Sequence, residues 1–292
     1  MLSFIKHKTV AFVLLFCLAT TNAWADEQSV KLADMDVTVW SQSFSASVKR
    51  PIIIFSHGFH GCATQSRFLM EAFAGAGYLV FAPNHRDATC GGGKAKSSDR
   101  PEVPFGKIGV WNQDSFRDRA DDIGNLIAAI KTDERFRDLI DWEHFGLAGY
   151  SLGGYTVLGL GGAWPSWKLP GIKAILAVSP FAQPFVQHKT LTDLSAPVMY
   201  QGGTLDFGIT PWLQKSQGAY DQSTQSKYYV EFRNAGHSAW TDLARGNRDS
   251  IIVYSLAFMN HYVKGEPAEP VLTQTLSDVS ALRYVSELGN SR

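Results

Sequence analysis

A chain of 292 residues, 45% hydrophobic and 18% charged, has the composition of an ordinary globular protein with a sizeable core. Its 27 basic residues equal its 27 acidic residues, so the charge balance gives no indication of a nucleic-acid partner. No C-x-x-C or H-E-x-x-H pattern is present, and we expect neither a metal site nor a cofactor. The length favours one α/β domain over two small ones.

The first 25 residues have the pattern of a secretory signal peptide. Two lysines precede an apolar run at residues 10–18, and the small residues of Ala23-Trp24-Ala25 supply a cleavage site. The run is too short to span a membrane, and no other segment is long and apolar enough to do so. We therefore expect a secreted or periplasmic protein without a transmembrane anchor, whose mature chain has 25 basic and 27 acidic residues.

Strands and helices alternate in the rest of the chain, which favours a mostly parallel sheet with helices on its faces. Loose alternation predicts an antiparallel strand or hairpin at residues 30–40. Apolar runs predict further strands at residues 51–55, 78–82, 145–148, 172–178 and 197–200, and residues 227–232 are predicted as another strand. Predicted helices cover residues 67–76, 155–160 and 251–263, and another carries an apolar stripe over residues 116–130.

Two segments are predicted to lie on the outside of a single domain, residues 26–292. On the helix at 116–130 we interpret four charged residues as a solvated face without a function: Arg117, Arg119, Asp121 and Asp122. A C-terminal extension begins at about residue 265 with a proline-rich stretch. Its apolar residues then recur every three positions, which predicts a weak helix packed on the surface: Leu276, Val279, Leu282 and Val285.

The pentapeptide Gly149-Tyr150-Ser151-Leu152-Gly153 follows an apolar strand and opens a helical run. This is the context of a nucleophile elbow, in which a tight turn holds the serine hydroxyl above the sheet. The helix N-terminus beneath it would offer N–H groups to a developing oxyanion. The chain has 26 glycines, so such a pentapeptide could also belong to an ordinary loop. The interpretation therefore depends on finding a catalytic base and acid for the serine.

A catalytic serine needs a base and an acid, which in this arrangement follow in the order serine, acid, histidine. Asp206 comes after a strand and small turn residues, and His237 directly follows the last predicted parallel strand. Asp193 and Asp221 are weaker alternatives for the acid, because one precedes its strand and the other lies well beyond the loop.

Strand ends before the serine supply further candidates. His57, His60 and His85 could line the site, but their position in the chain is wrong for the base of this fold. An oxyanion hole requires two N–H donors, and we assign these to the backbone groups of Leu152 and Phe59. The Phe59 ring would also form a wall of the acyl pocket.

The segments SHGFHG (56–61), GYLVFAPNHRDATC (77–90), GLAGYSLGGYTVL (146–158) and NAGH (234–237) carry a family resemblance. They resemble the platelet-activating-factor acetylhydrolase and dienelactone-hydrolase-like branch of the α/β-hydrolases, over most of residues 50–240. The chain departs from the acetylhydrolases at residues 178–181, where it has no aspartate. An acid at Asp206 instead resembles dienelactone hydrolases and bacterial cutinase-like polyesterases, and the serine nucleophile differs from the cysteine of dienelactone hydrolases proper.

The segment at residues 179–196 is short and proline-containing, whereas many lipases insert a helical cap there. We therefore expect an α/β-hydrolase fold without a large cap and with an open site. Four aromatic residues near the predicted mouth of the site could bind an acyl chain: Phe59, Phe181, Phe185 and Trp240. We expect about half of them to belong to the core instead. Of these we assign Phe181 and Trp240 to substrate binding.

Cys62 and Cys90 follow predicted strands that are neighbours in this fold. In an oxidising compartment they would pair and tie the oxyanion loop to the glycine-rich loop, the alternative being two free thiols.

Together these observations predict a monomeric serine esterase without a cofactor. It would act on short- to medium-chain carboxylic esters, with lipids and polyesters as candidates. A peptidase or amidase on the same residues, or a non-catalytic binding protein on a hydrolase scaffold, are the alternatives.

Overall fold

The computed structural model describes residues 25–44, 48–90, 93–224, 226–286 and 289–290. The predicted signal peptide lies outside these residues except for Ala25. Ten strands form one sheet: β1 (Asp26–Leu32), β2 (Met35–Ser41), β3 (Arg50–Ser56), β4 (Leu79–Pro83), β5 (Ile140–Tyr150), β6 (Ile172–Val178), β7 (Val198–Gly203), β8 (Lys227–Phe232), β9 (Val279–Ser286) and β10 (Gly289–Asn290).

The strand order across the sheet is β1-β2-β4-β3-β5-β6-β7-β8-β9-β10. Strands β3 to β8 pair in parallel, while β2 joins β4 and β9 joins β8 in antiparallel fashion. The parallel strands are buried on both faces, as their continuous apolar runs predict; Ile52, Ile53 and Ile54 are all 0% exposed. The carboxyl ends of these strands therefore meet at one edge of the sheet.

Seven helices cover the two faces of the described sheet: α1 (Arg67–Gly75), α2 (Arg117–Thr132), α3 (Leu152–Leu158), α4 (Gln183–His188), α5 (Thr210–Gln214), α6 (Ala219–Gln222) and α7 (Arg248–Lys264). One apolar cluster contains Ile123 of α2 and Tyr155 of α3, and the cluster on the other face contains Phe73 of α1 and Tyr254 of α7. This arrangement confirms the predicted α/β-hydrolase fold.

Only α4 and a short 3₁₀ turn at Leu191–Asp193 lie between β6 and β7, so the prediction that no large cap is present is confirmed. Within the described ranges, no helix has the length and apolarity needed to cross a bilayer.

The interpretation of α2 as carrying a solvated charged face is wrong for two of its four residues. Arg119 is 0% exposed, and Asp122 contacts the buried His85 through a 2.9 Å hydrogen bond. Arg119 lies three residues after Phe116 and four before Ile123, so it occupies the buried stripe itself. Its position on the helix places the side chain on the buried face, whereas its charge had suggested the solvent-exposed face.

The C-terminal extension is a strand, where the spacing of apolar residues predicted a helix. β9 runs antiparallel to β8, with Val230 opposite Leu282 and Tyr229 opposite Arg283. Without β9, the buried strand β8 would end the sheet with unpaired backbone groups. Pairing with β8 therefore determines the structure of this segment, although its apolar residues have helical spacing. The spacing alone does not reveal that β8 lacks a second neighbour.

Candidate active site

Ser151 occupies a single-residue turn between β5 and α3. Its backbone has φ 54° and ψ −115°, a left-handed conformation that is strained for a serine. The close approach of chain segments enforces this turn, because a Cβ on Gly153 would overlap the carbonyl oxygen of Ser56. A Cβ on Gly149 would in turn overlap the carbonyl oxygen of Gly153. The predicted elbow geometry is therefore present at Ser151, with its hydroxyl at the carboxyl edge of the sheet.

A line of hydrogen bonds runs from Ser151 to Asp206 through His237. The Ser151 Oγ lies 3.0 Å from His237 Nε2, and His237 Nδ1 lies 3.3 Å from the Asp206 carboxylate. Asp206 follows β7 and its side chain is 3% exposed, whereas His237 follows β8 and is 43% exposed. With its Nδ1–H directed at Asp206, the imidazole presents an unprotonated Nε2 to the serine hydroxyl.

Ser179 enters this line although sequence reasoning did not select it. Its hydroxyl donates to Asp206 Oδ2 and lies 2.8 Å from His237 Nδ1, so it accepts the imidazole N–H. It directly follows β6, at the position where the chain departs from the acetylhydrolases by lacking an aspartate. The missing aspartate was the one feature of the sequence that pointed to this position. It did not reveal that Ser179 contacts Asp206 and His237.

The alternative acids lie elsewhere. Asp193 accepts a hydrogen bond from the neighbouring Thr192, and Asp221 pairs with Arg283. Neither lines the cleft that contains Ser151.

The two predicted oxyanion donors come from the loop after β3 and from the start of α3. Leu152 is the first residue of α3, so its N–H has no acceptor within the helix. Phe59 follows β3, and its backbone N–H donates to no protein acceptor among the described residues. Phe59 and Ser151 line the same cleft.

Ser151 lines an open cleft of about 890 Å³. Its apolar walls are formed by Phe59, Phe105, Ile108, Phe181 and Trp212. Two further apolar side chains at its border are strongly exposed, Leu205 at 50% and Phe207 at 77%. The surface next to Ser151 is thus suited to an apolar acyl group rather than a charged one.

The aromatic candidates divide between the cleft and the core. Phe59 and Phe181 line the cleft, while Phe185 is 0% exposed within the apolar core. Trp240 is also 0% exposed and donates its indole N–H to Gln201 Oε1 at 2.8 Å. The assignment of Trp240 to substrate binding is therefore wrong, because its ring packs against Phe232 in the apolar core and does not line the cleft.

The three early histidines do not line the cleft either. His57 and His85 are 0% exposed, and His60 borders a smaller, charged depression of about 380 Å³ beside Phe59. Burial, and then the neighbouring Arg119 charge, lower the pKa of both His57 and His85 well below the ordinary value. Both imidazoles are therefore neutral in the folded protein.

Cys62 and Cys90 form a disulfide, as predicted, with their Cα atoms 6.0 Å apart. The bond joins the loop after β3 to the loop after β4, and the Thr89 hydroxyl adds a 2.8 Å hydrogen bond to the carbonyl of His60. The disulfide and this hydrogen bond thus attach the segment that contains Phe59 to the loop after β4. The described part of the chain has no cluster of three or more side chains that could hold a metal ion.

Comparison with protein families defines the class of the protein. Residues 17–104 match the platelet-activating factor acetylhydrolase, isoform II family, and residues 112–270 match the PET hydrolase-like family. Both are families of carboxylic ester hydrolases, and the protein is a carboxylic ester hydrolase. Because the second match covers more than half of the sequence, the chain belongs to the PET hydrolase-like family. Comparison with curated protein sequences gives no match.

Proposed function

We propose that the protein is an exported serine esterase in which Ser151, His237 and Asp206 form the catalytic triad. The observation that supports this best is the unbroken line of hydrogen bonds at the base of the cleft. It joins Ser151 Oγ to His237 Nε2 at 3.0 Å and His237 Nδ1 to Asp206 at 3.3 Å. Nucleophile, base and orienting acid are the three groups that acyl transfer through a serine requires.

In the proposed acylation step, Ser151 Oγ attacks the ester carbonyl carbon while His237 Nε2 takes its proton. The imidazolium that forms is stabilised by Asp206, whose buried carboxylate also holds the Nδ1–H tautomer. The imidazolium then gives its proton to the leaving alcohol as the carbon–oxygen bond of the ester breaks. Water, activated by the same imidazole, hydrolyses the acyl-serine in the second half of the reaction.

Charge develops on the carbonyl oxygen in both steps, and we assign its stabilisation to the N–H groups of Leu152 and Phe59. Leu152 N–H is a free donor at the start of α3, and Phe59 N–H has no competing protein acceptor among the described residues. Donors that are already oriented need no rearrangement when the oxyanion forms, which is why such groups contribute strongly to catalysis.

The shape of the cleft supports short- to medium-chain carboxylic esters as substrates. Phe59, Phe181 and Trp212 form apolar walls, and no large cap covers the opening. An open apolar cleft also admits a segment of a larger molecule, so lipids and polyesters are the candidate natural substrates. Export is proposed from the signal-peptide pattern of residues 1–25, and the Cys62–Cys90 disulfide is consistent with an oxidising compartment.

The test is hydrolysis of p-nitrophenyl esters from acetate to palmitate by the mature protein and by Ser151→Ala. We expect the highest rates with short chains and a fall in kcat of about 10⁴-fold or more in the variant. Ser195→Ala is the matched control, since its hydroxyl bonds the carbonyl of Gly161 outside the cleft. Normal hydrolysis by a folded Ser151→Ala protein would refute the proposal.

A further inference from the structure

A buried polar cluster lies behind the loop that carries Phe59, and the proposed reaction does not use it. Its centre is Arg119 of α2, whose side chain is only 1% exposed. Burying a guanidinium is unfavourable unless every N–H finds a partner and the charge is compensated. The partners that Arg119 contacts therefore indicate what the cluster supports.

All five N–H groups of Arg119 have acceptors. The Nε and one Nη2 N–H bind the two Asp87 carboxylate oxygens at 3.0 Å each. The Nη1 group donates to the carbonyl oxygen of His57 at 2.8 Å and to the Ser56 hydroxyl at 3.3 Å. The remaining Nη2 N–H donates to the carbonyl oxygen of Gly58 at 3.2 Å. Three of the five bonds thus hold consecutive residues of the segment that leads to Phe59.

His57 holds the same Gly58 carbonyl. The backbone N–H of His85 donates to His57 Nε2 at 3.0 Å, so that nitrogen is unprotonated. The proton of the neutral ring is therefore on Nδ1, which donates to the carbonyl oxygen of Gly58 at 2.7 Å. The N–H of Gly61 adds a third bond to this oxygen at 2.9 Å. The Gly58 carbonyl oxygen thus accepts from a guanidinium, an imidazole and a backbone amide.

The Gly58 carbonyl belongs to the same peptide group as the Phe59 N–H. In a trans peptide the N–H points opposite to the C=O, so fixing the carbonyl toward Arg119 fixes the Phe59 N–H in the opposite direction. The peptide borders the cleft, because Gly58, Phe59 and Ser151 all line it, and its N–H donates to no protein acceptor among the described residues. Tyr150, the neighbour of Ser151, limits movement of the peptide, since a Cβ on Gly58 would lie 3.0 Å from its ring.

We propose that Arg119 is a positioning residue for the oxyanion hole, acting by holding the Gly58–Phe59 peptide through its carbonyl oxygen. This inference rests on the proposed serine esterase function. The guanidinium orients the Phe59 N–H toward the oxyanion and, by polarising the peptide, makes it a stronger donor. Asp87 compensates the buried charge and fixes the Nε–Nη2 edge of the guanidinium through its bidentate contact.

The charge of Asp87 fits this role. Burial alone would raise the pKa of its carboxyl, but the charge and hydrogen bonds of Arg119 outweigh burial and lower the pKa to about 2. A buried ion pair contributes little to stability compared with well-packed apolar residues. Its presence directly behind the Phe59 peptide is better explained by a requirement for orientation.

The decisive variant is Arg119→Lys, which keeps a cation beside Asp87 but lacks the planar fork that reaches three acceptors in residues 56–58. We expect kcat for a p-nitrophenyl ester to fall about 10- to 100-fold, part of the loss seen when an oxyanion donor is removed outright. KM should remain within about twofold, because the walls of the cleft are unchanged. Arg117→Lys is the matched control on the exposed side of the same helix.

Ligand affinity separates positioning from general damage. An alkyl boronic acid forms a tetrahedral adduct with a catalytic serine, whereas the corresponding alcohol binds without one. Arg119→Lys should weaken the boronic acid by the same factor as kcat and leave the affinity of the alcohol unchanged. Equal weakening of both ligands, or an unchanged kcat, would overturn the inference. Failure of the proposed function is distinguishable, because it would appear as activity in Ser151→Ala whatever Arg119→Lys does.

Asp87→Asn provides the test if Arg119→Lys does not fold, as judged by circular dichroism. This variant retains the guanidinium and loosens its anchor, so kcat and boronic acid affinity should fall together by several-fold. A folded Asp87→Asn protein with wild-type affinity for the boronic acid would contradict the positioning role of the cluster.

Discussion

Ser179 connects the two groups that orient the proposed nucleophile. Its hydroxyl accepts the Nδ1–H of His237 and donates to Asp206, so the imidazole has two acceptors in place of one. The residue has φ 42°, and its N–H donates to the carbonyl oxygen of Gln201 at 2.8 Å. The strand end after β6 thus contributes to the proposed triad alongside the strand ends after β7 and β8.

We expect Ser179→Ala to lower kcat about tenfold, because its hydroxyl bonds both His237 and Asp206 and a hydrogen bond to a charged group contributes about 1.5 kcal/mol or more. Asp206 remains 3.3 Å from His237, so the loss should be far smaller than the roughly 10⁴-fold loss for Asp206→Asn. Ester hydrolysis under saturating substrate is the measurement, with Ser223→Ala as a buried hydroxyl control outside the cleft. A loss as large as that of Asp206→Asn would show that the bridge, and not the direct contact, orients the imidazole.

The proposed triad was predictable from chain order, but Ser179 was not. Ser151, Asp206 and His237 each follow a strand that an apolar run reveals, so their positions at one sheet edge follow from the sequence. Ser179 contacts Asp206 and His237, which lie 27 and 58 positions further along the chain. A serine after a strand is common, and only the three-dimensional arrangement distinguishes this one.

At the scale of elements, α2 supports the loop after β3 through charged side chains and not only through its apolar stripe. Asp122, one turn from Arg119, lies 2.9 Å from His85 Nδ1, and His85 Nε2 lies 2.9 Å from the Ser56 hydroxyl. Burial raises the pKa of Asp122 to about 6, with the Asp87 charge adding to this effect and Arg119 opposing it. The contact of α2 with the loop is therefore sensitive to pH.

The folded protein holds a proton on Asp122 up to about pH 6, whereas the ordinary value is 3.8. The free energy of unfolding therefore falls as the pH rises through this window, by at most about 3 kcal/mol for this group. Asp122→Asn should gain stability relative to wild type between pH 4 and pH 8, as measured by urea unfolding at both values. Asp121→Asn is the control for loss of an exposed carboxylate on the same helix. A constant difference between Asp122→Asn and wild type would contradict this assignment.

Prediction of the elements succeeded where burial alone determined them. β3 and β6 are largely apolar runs, and each is buried over most of its length. β9 could not be predicted in this way, because its role is to complete an edge, and Arg119 could not be placed, because its acceptors are backbone carbonyls of a distant loop. Both failures concern residues whose environment is set by another element.

At the scale of the whole molecule, the crossovers of the parallel sheet bring the loops after β3, β5, β6, β7 and β8 to one edge. This follows from the alternation of strands and helices, so the location of the candidate site was predictable. The composition of the cleft was less so, since Phe105 and Ile108 come from the long loop after β4 and Trp212 from α5. The path of such loops depends on tertiary contacts that sequence patterns do not encode.

The most direct test of the central claim is covalent labelling of the folded mature protein with a fluorophosphonate, read by intact mass and peptide mapping. An activated serine displaces fluoride and forms a stable phosphonyl ester, whereas an ordinary hydroxyl does not react. We expect one adduct per chain, located on Ser151, absent in Ser151→Ala and formed much more slowly in His237→Ala. Absence of the adduct, or its location on another residue, would contradict the account.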